Sequence, residues 1–227
     1  MSIRERIEQD GFAMVRGVLA RPEADSLLAA LDRERLPRSR AGARHAMASA
    51  LVAGLARDER LMRMAREVLG AGAQPFRATL FDKSPGANWL VAWHQDTALP
   101  LREQCEVAGW GPWSTKSGIT YAHAPAHALE GVLALRIHLD DSTAQNGPLR
   151  VVPGSHRRGV LTDDAVRALA HGAEPVYCVA AKGDVLAMRP LLVHASSKSG
   201  AGRSRRVLHV EYAASFAIDH GLELAIA

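Results

Sequence analysis

The hydrophobic periodicity changes near residue 75, and that change constrains the fold more than any single motif. In "PEADSLLAALDRERL" (22–36) apolar residues recur every three to four positions, and "HAMASALVAGLARDERLMRMAREVLG" (45–70) extends the pattern until Gly70. The first third therefore reads as helical. From residue 75 onward, short alternating or β-rich runs broken by Gly, Pro and Asn predict strands at 76–82, 89–94, 131–139, 149–153, 175–180, 184–188, 191–196 and 205–213. The turns "QNGP" (145–148) and "AKGD" (181–184) read as tight hairpins. Eight strands after a helical lead predict a mainly β protein, a double-stranded β-helix (jelly roll, cupin-like) with helices backing one sheet. A single domain over 1–227 is expected, with helical support at 1–74 and a jelly-roll core at 75–227. Residues 97–130, too long and too rich in Gly and Pro for a tight connection, are expected to form a lid.

A hydrophobic content of 48% over 227 residues suffices for one core. Cys105 and Cys178 are too few for a disulfide framework and read as reduced thiols. The charged start "MSIRERIEQDGF" has no apolar run of leader length, and no stretch is long and apolar enough to span a bilayer, so a cytoplasmic protein without a membrane partner is expected. The formal charge is +4, and all but four of the 28 basic residues are arginine. The densest cluster, Arg33, Arg35, Arg38, Arg40 and Arg44, carries no aromatic residue for base stacking. It reads as a solvated linker between helices rather than a nucleic-acid surface, and no nucleic-acid partner is expected. A mildly basic surface also suits an anionic small molecule. No sequence feature specifies an oligomeric state.

Three His-x-acid pairs occur, His94/Asp96, His138/Asp140 and His209/Glu211, and spacing alone does not choose among them. An iron site of the two-histidine, one-carboxylate kind needs three ligands on one face with open positions opposite. In a jelly roll of this kind the close pair ends the second strand and the distant histidine lies on the seventh, so four strands intervene. Counting from His94 to His194 in "LLVHAS" gives four, whereas counting from His138 gives three. The set His94, Asp96 and His194 is therefore favoured. In the last strand, "RRVLHVEYA", alternation puts Arg206, Leu208, Val210 and Tyr212 on an apolar face toward the helices. Arg205, Val207, His209 and Glu211 then face the barrel interior, where Arg205 requires an anionic partner such as a ligand carboxylate.

These residues resemble the phytanoyl-CoA dioxygenase family of iron(II)/2-oxoglutarate oxygenases. The resemblance runs through "EQDGFAMVRGVL" (8–19), "WHQD" (93–96), "NGPLRVVPGSH" (146–156), "KGDVLAMRPLLVHASS" (182–197) and "RSRRVLHVEY" (203–212), five blocks in order. It implies His94, Asp96 and His194 as iron ligands, Arg205 as the holder of the far carboxylate of 2-oxoglutarate, and Ser196 as its companion. Lys83 resembles a family lysine that reaches the cosubstrate. Position 199 is Ser where the family often has Asn, so the pocket is expected to differ in detail.

The resemblance further implies Fe(II), 2-oxoglutarate and O2, with release of succinate and CO2. Because Asp96 is retained, hydroxylation of a small-molecule C–H, or a desaturation or ring-forming variant of it, is expected rather than halogenation. For the substrate, the lid offers Trp110, Trp113, Tyr121 and His123, and the neighbouring strand offers Arg136 and His138. The alternatives are an oxygenase acting on protein or nucleic acid, and a non-catalytic jelly roll that binds a metal or ligand.

Overall fold

The computed structural model describes residues 1–34, 36–37, 42–84, 87–200 and 204–227. Arg35, Arg38 and Arg40 of the basic cluster lie outside the described residues. The helices are α1 (Ile3–Asp10), α2 (Arg21–Glu34), α3 (Ala50–Ala56), α4 (Glu59–Leu69), α5 (Ala126–Glu130) and α6 (Asp163–Gly172). The strands run β1 (Phe12–Val15), β2 (Gly42–Ala43), β3 (Gln74–Lys83), β4 (Val91–His94), β5 (Ala98–Leu101), β6 (Trp113–Lys116) and β7 (Ile119–His123). They continue as β8 (Val132–His138), β9 (Leu149–Val151), β10 (Val176–Cys178), β11 (Val185–Met188), β12 (His194–Ser196), β13 (Arg205–Ala213), β14 (Ala217–Asp219) and β15 (Leu222–Glu223). None of the described helices is long and apolar enough to cross a membrane.

The eight expected strands all form, and they divide evenly between two sheets. The larger has the order β1-β11-β8-β13-β3-β2 and the smaller β10-β9-β12-β4. All of the consecutive steps among these eight strands cross between the facing sheets except β9 to β10, which pair within the smaller one, and this is the jelly roll. It also overturns the two expected hairpins, because β8 and β9 lie in different sheets, as do β10 and β11. Asn146 serves the first connection differently: its side chain accepts from the Thr143 amide and donates to the Asp141 carbonyl, at 2.8 Å each.

The helices back the larger sheet. Leu27, Leu28 and Leu31 of α2 and Leu61, Met62, Ala65 and Val68 of α4 pack with Leu80, Leu135, Ile137, Leu208, Val210 and Tyr212 in one buried cluster. Each fully buried leucine contributes about 1.5–3 kcal/mol of transfer free energy. The apolar face expected for the last strand is thus the one the helices cover, and Tyr212 completes it with a 2.8 Å hydrogen bond to the Ala56 carbonyl. α1 starts from a capping box between Ser2 and Glu5 and stops at Gly11 in the left-handed region, φ 83°.

The segment 97–130 is a small sheet, β5-β7-β6, followed by α5. Its strands escape a periodicity reading because their inner residues Leu99, Leu101 and Ala122 bury, with Leu129 of α5, in a satellite core shared with Phe76 and Leu224. Trp110 joins that core and donates to Asp219 at 2.9 Å, which ties this layer to the end of β14.

Candidate functional site

β4 and β12 are antiparallel neighbours, and their register sets His94 directly against His194. The two rings lie 4.2 Å apart between centroids. Each Nδ1 bonds the carbonyl two residues before it, Ala92 for His94 and Leu192 for His194, both at 2.8 Å. With Nδ1 carrying the proton, Nε2 of each ring presents its lone pair to the same point. Asp96 sits there, its oxygens 3.6 Å from His94 Nε2 and 3.5 Å from His194 Nε2. One ligand atom from each of the three lies within 4.8 Å of the others, which suits a single ion.

The surroundings hold this geometry. The Asp96 amide donates to the Pro190 carbonyl at 2.9 Å. Gln95 points away from the metal side: it donates to the Gly159 and Leu191 carbonyls and accepts from the Leu161 amide. Ser155 accepts from the Val193 amide at 2.8 Å, immediately before His194. The "WHQD", "PGSH" and "LLVHAS" segments are therefore mutually bonded supports of one site.

Electrostatics prepare His194 and Asp96 for a cation, whereas at His94 burial is outweighed by Asp96, which raises the imidazole so that a cation must displace its proton. Burial pushes His194 down to about 4, so it is neutral near pH 7. Partial burial works against charge on Asp96, but the imidazoles of His194 and His94 outweigh it and hold the carboxyl well below the usual range. A neutral imidazole and an ionised carboxylate are the states a metal requires. The donor set, with its paired Nε2 atoms and nearby carboxylate, fits iron(II).

Next to the donors is a cavity of about 100 Å³ lined by Lys83, Trp89, His94, Asp96, Arg136, His194, Ser196 and Arg205. Ser196 is its hub, donating to the Gly147 carbonyl (2.8 Å) and accepting from Lys83 (2.9 Å) and Arg205 (3.2 Å). Burial, with Arg136 nearby, lowers Arg205 to about 10; burial, Arg205 and Arg136 lower Lys83 to about 8. Three cations thus share a cavity whose single lining carboxylate among the described residues is Asp96. The Nε atoms of Arg136 and Arg205 are buried without a hydrogen-bond partner. Such a pocket is incomplete without an anion.

A second cavity, about 250 Å³, adjoins the first, and Asp96 and Phe81 line both. Of the residues named for substrate contact, Tyr121 and His123 line it. Arg136 lies in the smaller cavity, where it donates to His209 Nδ1 at 3.0 Å. Trp110 and Trp113 pack in the satellite core beneath the β5–β7 layer. His138 is buried, both ring nitrogens lack a partner, and burial with Arg136 and Arg205 nearby lowers it to about 3. The sequence reading did not assign Arg44, Arg77 or Lys116 to a site, and all three line the second cavity. Arg44 belongs to the cluster read as a solvated linker; the two-residue β2 carries it to the barrel mouth by pairing with β3.

A jelly roll bearing two histidines and an aspartate at the mouth, with a cationic anion-sized cavity behind them, defines the architecture of the cupin-like iron oxygenases. The chain belongs to the phytanoyl-CoA dioxygenase (PhyH) family, whose model matches residues 7–207. It is 26% identical over 188 residues to L-proline trans-4-hydroxylase of Streptomyces griseoviridis, covering 70% of this chain and 62% of the relative. It is 27% identical over 169 residues to ectoine dioxygenase of Bordetella parapertussis, covering 66% and 47%. The chain therefore spans less than two thirds of the length of these curated relatives. The crystal structure of AviO1 from Streptomyces viridochromogenes Tue57 superposes with a TM-score of 0.68 at 27% identity, covering 93% of each chain.

Proposed function

We propose that this protein is an Fe(II)/2-oxoglutarate-dependent oxygenase that hydroxylates a C–H bond of a small molecule. The observation that carries the reading is the convergence of His94, Asp96 and His194 beside a buried cationic cavity. The names of the two curated relatives, a proline hydroxylase and an ectoine dioxygenase, support the class of chemistry.

When bound, iron and 2-oxoglutarate supply O2 activation coupled to oxidative decarboxylation, with succinate and CO2 as products. The chain's own residues bind and orient. His94 and His194 offer Nε2 and Asp96 one oxygen, on one side, leaving the opposite side open. Arg205, with Ser196 and Lys83, takes the far carboxylate of the 2-oxo acid and compensates for the desolvation of these buried cations. Tyr121 and His123 wall the neighbouring cavity, where the substrate's C–H is held against the Asp96 side and water is displaced.

The test is anaerobic addition of Fe(II) and 2-oxoglutarate. A weak visible charge-transfer band is expected from the wild type and not from His194→Ala, and in air the wild type releases succinate without added substrate. A wild type that retains no iron and shows no band would overturn the reading.

A further inference from the structure

We propose that the 250 Å³ cavity beside Asp96 takes its substrate by an anionic group, carboxylate or phosphate, seated between Arg44 and Lys116. This rests on the oxygenase reading for the word substrate, though not for the site itself. Five charged side chains line the cavity: Arg44, Arg77, Lys116, Asp96 and Glu211. Two of them cancel. Glu211, 2% exposed at its side chain, holds the Arg77 guanidinium through two nitrogens, while the third donates to the Ala98 carbonyl at 2.7 Å. Glu211 therefore neutralises Arg77, and three of its five N–H groups are already engaged. Asp96 is turned to the two imidazoles.

What remains is two cations. Lys116 Nζ sits 4.7 Å from the centre of the Tyr121 ring, and the Tyr121 hydroxyl lies 2.9 Å from His45 Nε2, which fixes the ring that carries the ammonium. Burial, Arg44 and Arg77 all push Lys116 down, and none of the influences on it comes from an acid. A bound anion would relieve that burden on Lys116.

The backbone is shaped to bring Arg44 there. Gly42 adopts φ 123°, and a Cβ at that position would lie 1.9 Å from the Leu80 carbonyl oxygen. Only glycine lets β2 close onto β3 at this distance, and Arg44 follows two residues later. The cavity is below the usual ~300–1,000 Å³ range of drug-sized ligand pockets, which fits a metabolite-sized acid.

The experiment titrates pentanoate, inorganic phosphate and neutral pentanamide into the wild type and the Arg44→Gln/Lys116→Gln double variant by calorimetry. Anaerobic Fe(II) and 2-oxoglutarate are present throughout, and the charge-transfer band is read in the same samples. Expected is binding of pentanoate or phosphate, not pentanamide, weakened about tenfold or more in the double variant while the band persists. The stronger of the two anions identifies the headgroup. If the band is absent but the anion still depends on Arg44 and Lys116, the anion site stands and the oxygenase reading fails. If the band forms and the wild type binds neither anion, binds pentanamide equally well, or binds no better than the double variant, the anion assignment is overturned.

Discussion

His94 and His194 are register partners across β4 and β12, so the two imidazoles are held by the backbone ladder itself and not by a flexible loop. Metal affinity should therefore be lost with either ring, but stability should not suffer equally. His194 is 4% exposed at its side chain and His94 38%. His194→Ala and His94→Ala should both fail to retain iron. Denaturant unfolding should show a loss of about 1–3 kcal/mol for the former and under about 1 kcal/mol for the latter. Equal iron retention in variant and wild type, by metal analysis, would contradict the assignment.

Arg205 is desolvated and its Nε has no partner. Arg205→Ala should weaken 2-oxoglutarate binding by about 30-fold or more, equivalent to roughly 2–5 kcal/mol. It should also abolish the thermal stabilisation that the 2-oxo acid confers on the wild type. Without ligand, Arg205→Met should be as stable as the wild type or more so, because it removes an uncompensated buried charge.

Gly147 has φ 67°, and a Cβ there would lie 2.3 Å from the Ser197 carbonyl oxygen, the same oxygen that accepts from Lys83 at 2.6 Å. Gly147→Ala must displace that carbonyl or the turn. The expected outcome is a raised KM for 2-oxoglutarate with iron content unchanged. A variant with wild-type KM would show that the turn does not position Ser196 and Lys83.

Asp184 accepts from Arg16 (2.6 Å) and from the Gly17 and Ala181 amides (2.8 Å each). Burial alone would raise its carboxyl, but Arg16 and these amides lower it below its ordinary value. A depressed folded value means the contribution is complete above the unfolded value near ~3.9 and is lost as pH falls through the folded one. Asp184→Asn should cost about 2–3 kcal/mol at pH 7. Its unfolding free energy should decline less steeply than the wild type's below about pH 4, as measured by urea titration across pH.

Much of this architecture can be read without coordinates. The strand count between "WHQD" and "LLVHAS" separates the converging His94, Asp96 and His194 from the other His-x-acid pairs because a jelly roll makes its second and seventh strands neighbours. Alternation in "RRVLHVEYA" sorts Arg205 inward and Tyr212 toward the helices because a strand has a period of two. Residues 97–130 resist the same treatment: β5, β6 and β7 are strands only once they pair and share a core with distant residues. The tryptophans there mark core as readily as recognition, and Trp110 is core. The Asn-Gly turn misleads because hairpin chemistry is local, while the sheet each flanking strand joins is not.

The sequence by itself determined the change from a helical first third to a β body, the faces of the long strands and which His-x-acid pair converges with His194, since these follow from periodicity and from an order of elements that is inherently one-dimensional. Only the tertiary structure decided which cations face the second cavity. Arg44, Arg77 and Lys116 come from three separate strands or turns, and their meeting depends on edge pairing at Gly42 and on how the small β5–β7 sheet packs over the barrel. Charge convergence of that kind has no period along the chain, because it arises from distances in space.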